Sequence, residues 1–213
     1  GGSNYSYTVA NSWTTSDGAT TWSDANSWDA GEVPATGQPV TIEDDLTLDQ
    51  NATVSDVVVS SGKTLTLNTG QTLQVNGDIS NSGTIDGDGS LKLIGGSATH
   101  SLTGEGAYPE LELDDANGAN ISGGTTINGD LTITNGTFNI TDNNPLTVNG
   151  NLTNAGTLDL GTISGGTAGD LILKGNWNSS GTFNANSRLV TFNGSSQQSI
   201  SHSGSGNFAY LEL

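Results

Sequence analysis

The chain has 213 residues, of which 31% are apolar and 31 are glycine, and its four basic and 22 acidic side chains give a formal charge of −18. So few cations leave no footprint for phosphate, which excludes nucleic acid as a partner, and they disfavour an anionic membrane surface. There is no Cys and no Met, so disulfides and thiol chemistry are absent, and no apolar run has the length of a membrane span.

The chain opens with Gly1-Gly2-Ser3 and then Tyr5-Ser-Tyr7-Thr-Val9. The alternation of Tyr5, Tyr7 and Val9 with polar residues is that of a short strand, able to add to an open sheet edge. Trp13, Trp22, Trp28, Pro34 and Pro39 come next, within the first 50 residues. This stretch has no repeat, and it reads as a capping region over 1–50 that covers one end of the repeats beyond it. Trp22 and Trp28 have two readings there: the core of the cap, or an exposed platform on which sugar rings stack.

From residue 51 the sequence repeats itself. LQVNGDISNSGTI (Leu73 to Ile85) returns as LTVNGNLTNAGTL (Leu146 to Leu158) and as LILKGNWNSSGTF (Leu171 to Phe183). The first and last copies lie 98 residues apart, and the same offset relates IGGSATHSL at Ile94 to FNGSSQQSI at Phe192. AYPELEL and FAYLEL end at Leu113 and Leu213. Within each copy, apolar residues alternate with Thr, Asn, Gln, Glu or Lys over three to five positions, then Gly, Asn, Ser and Asp intervene. Period two marks a short strand with one buried face, and the intervening residues are turn formers. Units of 21–25 residues cannot bury an apolar face alone and must stack. The predicted fold is therefore all-β: a parallel β-solenoid of roughly 7–8 coils over 51–213, about 35–40 Å long at the strand spacing, behind the N-terminal cap. Leu73, Leu146 and Leu171 should point inward in one column. Trp177 occupies the place of Ile79 and Leu152 and belongs to the core. The 98-residue offset sets Lys92 against Val190 and Leu93 against Thr191, so a bulge or slip is expected near one of them.

The phrase WSDANSW…GEVP…VTI in residues 22–42, the subsequent SGKTLTLNTGQTLQVNGDISNSGTI and the closing LVTFNGSSQQSISHSGSGNFAYLEL together resemble the repeat segments of large bacterial cell-surface proteins of adhesin type. The resemblance covers nearly the whole chain. It implies a Gly/Asn/Thr-rich β-solenoid, an extracellular location and a non-enzymatic role, and it carries no catalytic residues.

Acidic clusters fall at expected turns. Asp86-Gly-Asp88-Gly and Asp114-Asp115 place oxygen ligands close together, so Asp86, Asp88, Asp114 and Asp115 are weak candidates for calcium; no other cofactor is implied. Asp159 and Asn184 stand at the place of Asp86 in other copies, which fits a turn role instead. His100 and His202 read as exposed turn residues. A polysaccharide-cleaving β-helix would need a basic groove or paired carboxylates, and the four cations are too few for the first. Thr-x-Thr pairs do not recur at one phase, which argues against an ice-binding face. The chain reaches Leu211-Glu-Leu213 in mid-pattern, so Leu211 and Leu213 should need a further coil, from more repeats of the same protein or from another copy. Tyr5, Tyr7 and Val9 could supply it. The sequence thus points to a structural rod, a stalk or a self-assembling fibre subunit, with a glycan-binding module as the alternative.

Overall fold

The computed structural model describes residues 13–122, 124–141, 144–161 and 170–213. It is a stack of short strands with one 3-10 turn, Ala25–Ser27, as its only helical element among the described residues. All strand pairs are parallel, each strand matched to one about a coil away.

The strands form three faces. Face I carries nine, from Trp13–Thr14 and Val40–Ile42 to Thr182–Asn184, and face II carries eight, from Ala52–Val54 to Ile200–His202. Face III begins with Leu46–Leu48, Thr64–Leu67 and Thr84–Gly87, and resumes with five strands from Thr126–Ile127 to Tyr210–Glu212. Single bridges at Thr84–Ala107 and Tyr108–Ile127 join its two parts. The chain visits face II, then I, then III, and begins again, for about eight coils. Strands at Val40–Ile42 and Leu46–Leu48 already belong to the stack, so the solenoid starts ahead of residue 51.

The period-two pattern explains this form directly. In strands such as Leu46–Leu48, Val57–Val59, Leu146–Val148 and Leu171–Leu173, the first and third side chains are buried and the middle one is not. The inward residues of all three faces merge into one apolar cluster that runs the length of the rod. Leucine, valine and isoleucine at these positions lose nearly all their surface, and that burial is the main term favouring the stack.

The expected single column of leucines is not what forms. Leu73, Leu146 and Leu171 all point inward, and Leu146 pairs with Leu171 on face III. Leu73 lies on face II, between Ala52 and Leu91. Four coils carry face II from Leu73 through Leu91, Leu111 and Leu131 to Leu152. Two more faces then lead to Leu171. The 98-residue echo is thus four and two-thirds coils, and its second copy is displaced by one face. Faces II and III both accept the phrase, so the phrase does not fix which face it occupies.

The expected slip near Lys92 or Val190 lies in a turn. Leu91, Leu93, Val190 and Phe192 are all buried, because the corner before Val190 holds one residue more than the corner before Leu91. That corner contains Asn186 at φ 49° and Ser187 at φ 61°, a left-handed conformation that Asn tolerates best among non-glycine residues. A strand irregularity does exist, at Leu113/Asp114 against Ile133–Asn135.

Candidate functional site

Two places carry the chemistry: the last coil, and the corner between faces II and I near His100. At the last coil, Ile200–His202 on face II and Tyr210–Glu212 on face III each pair with one strand only among the described residues. The residues that would face the core are therefore uncovered. Ile200 is 42% exposed, Leu211 44% and Leu213 87%, with Tyr210 at 61%. Leu211 pairs with Val190 in this last described coil. Beneath the exposed residues Phe208 lies partly buried against Trp177 and Phe183, with ring centroids 4.9 and 5.2 Å away. His202 is half-buried, not a free turn residue: its ring lies 6.4 Å from that of Trp177, and Nε2 is 3.1 Å from the Gly206 carbonyl. This aromatic cluster fills the bore but leaves the strand edges open. Tyr5, Tyr7 and Val9 lie outside the described residues.

The corner near His100 overturns the expectation of an exposed turn. His100 is 1% exposed and Asp115 6%. Nδ1 of His100 lies 2.6 Å from the Gly77 carbonyl, which can only accept, so Nδ1 carries the hydrogen; Nε2 lies 3.0 Å from Oδ2 of Asp115. Oδ2 also accepts the Gly96 N–H, and Oδ1 the Asn117 N–H. The turn itself is local chemistry: Asp115 opens it and Gly118 closes it at φ 78°, a Gly-favouring conformation. Burial pushes the Asp115 carboxyl up, but the N–H groups of Asn117 and Gly96 and the neighbouring His100 outweigh it and hold it below the usual range. The signal was present in the sequence. His100 is two residues from Leu102, and period two puts both on the buried face.

The same corner recurs one echo later with different atoms. Gln198 stands 98 residues after His100. Its Oε1 accepts the Gly194 N–H at 2.8 Å and its Nε2 donates to the Gly175 carbonyl at 2.6 Å. Gly194 and Gly175 are the counterparts of Gly96 and Gly77. One neutral amide does there what His100 and Asp115 do together.

The acidic candidates for calcium do not come together. Asp86 sits in a strand of face III, not in a turn, and accepts from Thr66 at 3.0 Å. Asp88 lies just beyond it, in contact with Thr69 at 3.5 Å. Asp114 ends a strand on face II and pairs with Lys92 at 2.9 Å, while Asp115 is occupied by His100 and the two N–H groups. Among the described residues no group of three or more His, Asp or Glu side chains is placed to hold a metal.

Trp22 and Trp28 are not a platform for sugars. They are 1% and 2% exposed, packed edge to face at 4.9 Å, and Nε1 of Trp28 donates to the Trp22 carbonyl at 2.9 Å. Indole rings of this size are drawn into any available core, here beside the strand Leu46–Leu48, where the Trp22 backbone N–H bonds to the Thr47 carbonyl. A sizeable groove, of about 610 Å³, lies on face II, and Trp22 reaches its lining with almost no exposed surface. Its floor holds Thr53, Gln74, Lys92 and Glu112 and its wall is residues 34–36. Thr53 donates to Gln74 at 3.0 Å, and Lys92 bridges Glu112 at 3.1 Å. Bonding to Asp114 above all, and to Glu112, holds the Lys92 ammonium above its ordinary pKa despite some burial, so it is a poor general base.

Comparison with protein-family models, with curated proteins and with solved structures finds no match.

Proposed function

We propose that the protein is a non-catalytic structural rod, set outside the cell as a stalk or fibre subunit, whose coil at residues 200–212 is covered by a further coil, from more repeats of the same protein or from another copy. The observation that carries this reading is the uncovered last coil, with Ile200, Leu211 and Leu213 aimed at a core that needs one more layer. Open parallel edges of this kind are templates for another strand. Charge supports the same partner. The chain carries −18 overall, yet residues 1–16 hold no charged side chain and residues 189–213 hold only Glu212 besides His202. Two such ends approach without the repulsion that the flanks would impose. A head-to-tail contact between unlike ends does not close on itself and grows a filament.

The test is sedimentation and electron microscopy of the chain over a wide concentration range, beside the Leu211→Glu variant. Concentration-dependent filaments that the variant abolishes, with its circular dichroism retained, are expected. A chain that is monomeric at every concentration defeats the fibre subunit. A second reading, a glycan-binding module, is favoured by the groove on face II, whose hydroxyl and amide floor suits an uncharged sugar chain. Calorimetric titration with neutral oligosaccharides, with Gln74→Ala as the control, tests it.

A further inference from the structure

Six Asn-Gly pairs lie along the rod: Asn76-Gly77, Asn117-Gly118, Asn128-Gly129, Asn135-Gly136, Asn149-Gly150 and Asn193-Gly194. The pair has an intrinsic reactivity. With no Cβ in the way, the glycine nitrogen can reach the carbonyl carbon of the preceding side-chain amide and attack it. The attack requires the glycine N–H to lose its proton, and the electron pair left behind points where the hydrogen pointed. The direction of each glycine N–H therefore sorts the six.

In five of them the N–H is turned to another residue. Gly77 donates to the Ser55 carbonyl at 2.8 Å, Gly118 to the Asp115 carbonyl at 2.9 Å, Gly150 to the Gly129 carbonyl at 3.0 Å and Gly129, more loosely, to the Pro109 carbonyl at 3.4 Å. Gly194 donates to Oε1 of Gln198 at 2.8 Å. Two of the asparagines are pinned as well: Nδ2 of Asn117 donates to the Gly96 carbonyl, and Nδ2 of Asn149 to Oδ1 of Asn128.

Gly136 is the exception. Its N–H points at the side chain of the residue before it, with Oδ1 of Asn135 2.9 Å away. The strand irregularity on face II accompanies this turn: Ile133 pairs with Leu113 but Asn135 with Asp114, so Thr134 is an extra residue and the corner after it is out of step with the coil below. Asn135 and its neighbours Thr134 and Thr137 are exposed, so water and hydroxide reach the pair. Nor can another residue replace the glycine. Its φ is 81°, and a Cβ there would run into the Asp115 carbonyl. The fold requires the reactive pair at the one corner where it also leaves it aligned.

We propose that Asn135 is a site of spontaneous modification, losing its amide through ring closure with the Gly136 nitrogen. That nitrogen bonds to Cγ of Asn135, and the Cγ–Nδ2 bond breaks. The side-chain nitrogen leaves as ammonia, carrying the equivalent of the proton lost by Gly136. Water then opens the five-membered imide. Cleavage at Cγ gives aspartate; cleavage at the main-chain carbonyl gives isoaspartate, whose backbone runs through the side chain. Either product sets a carboxylate opposite Asp114, which already pairs with Lys92, and like charges on facing strand positions destabilise. Isoaspartate also lengthens the corner at which the Gly136 carbonyl accepts the Thr157 N–H. Modification therefore weakens the stack in mid-rod, whatever role the rod has.

The test follows the unaltered chain, folded and in concentrated urea, at mildly alkaline pH. Peptide mass mapping reads each of the six pairs, since every conversion adds about 1 Da. In the folded chain Asn135 should convert at least about fivefold faster than the others, the factor that breaking a typical hydrogen bond to each of their N–H groups imposes. Asn128, whose glycine has the longest of those bonds, should come second. In urea the six rates should converge. A folded chain in which Asn135 does not lead overturns the assignment. So does a lead that survives in urea, because flanking residues and not the fold would then choose the site. Asn135→Gln should abolish the leading conversion and leave the other five rates unchanged; fast conversion that persists in this segment of the variant also overturns the proposal.

Discussion

The corner at His100 and its echo at Gln198 solve one problem twice. Each binds the N–H of a glycine four residues earlier and the carbonyl of a glycine one coil below, both half-buried. The earlier corner uses an imidazole and a carboxylate, 1% and 6% exposed, in mid-rod. The later uses a single amide near the open end, one face away on the triangle. The lesson is that the coil imposes the hydrogen-bond demand and leaves the chemistry that meets it free. The Asp115 carboxylate ties its corner to pH, whereas an amide does not.

The sharpest way to break the comparison is in the cores on either side of it. Trp177→Ala removes the ring that packs on Phe183, Phe192 and Phe208, and about 3–5 kcal/mol of stability should go with it, as for other buried Trp truncations. Urea midpoints that barely move would show that the aromatic cluster does not hold the last coils. Next in size is a matched pair from the two echo phrases. Leu113 is fully buried and Leu213 is 87% exposed. Leu113→Ala should cost about 2–5 kcal/mol, and Leu213→Ala in the monomer less than about 0.5 kcal/mol. Equal costs would mean that the end coil is covered in solution.

At the corner itself, His100→Ala leaves the Gly77 carbonyl without its imidazole partner and the Asp115 carboxylate with only the Gly96 and Asn117 N–H groups, and should cost about 1–3 kcal/mol. His100→Gln imports the amide used at Gln198 and should recover part of that loss. If the two variants denature alike, the amide does not reach its partners in this setting.

Acid should separate the two corners. The Asp115 carboxyl is held low in the folded state, so its contribution is present above the unfolded carboxylate value, about 3.9, and is lost as pH falls through the lower folded value. Asp44, held low first by its bond to Lys63, follows the same direction. Lys92 runs the other way: its raised value gives stability present below about 10.4 and lost as pH climbs past the folded value. Amide hydrogen exchange should therefore quicken at Gly96, bonded to Asp115, relative to Gly194, bonded to Gln198, as the solution is acidified below about pH 4. Parallel behaviour of the two amides would show that Asp115 does not govern its corner.

The smallest expected effect concerns cations. With the acidic side chains dispersed over different faces, a chelator at constant ionic strength should leave Tm unchanged, whereas added monovalent salt should raise it by screening the −18 charge. A fall in Tm on chelation would reveal a specific calcium site.

Much of this is legible in the residues. The alternation in Leu46-Thr-Leu48 or Leu171-Ile-Leu173 sets which side chains are buried, because a strand has two sides and only one can face the core. The turn chemistry of Asp115 to Gly118 is equally local. His100 is different: a titratable residue in a polar phrase looks like a turn, and its partner Asp115 lies 15 positions away, joined to it only by the coil. Trp22 and Trp28 are ambiguous in sequence because aromatic residues serve cores and sugar sites alike, and only the packing beside Leu46–Leu48 decides between them.

The sequence by itself determined the strand period, the turn residues, the inward side chains and hence a stack of parallel coils. Only the tertiary structure decided which face each phrase occupies. The same short strand is accepted on more than one face, and the choice follows from the summed length of every corner before it. A 98-residue repeat on coils of about 21 residues therefore lands two-thirds of a turn out of phase.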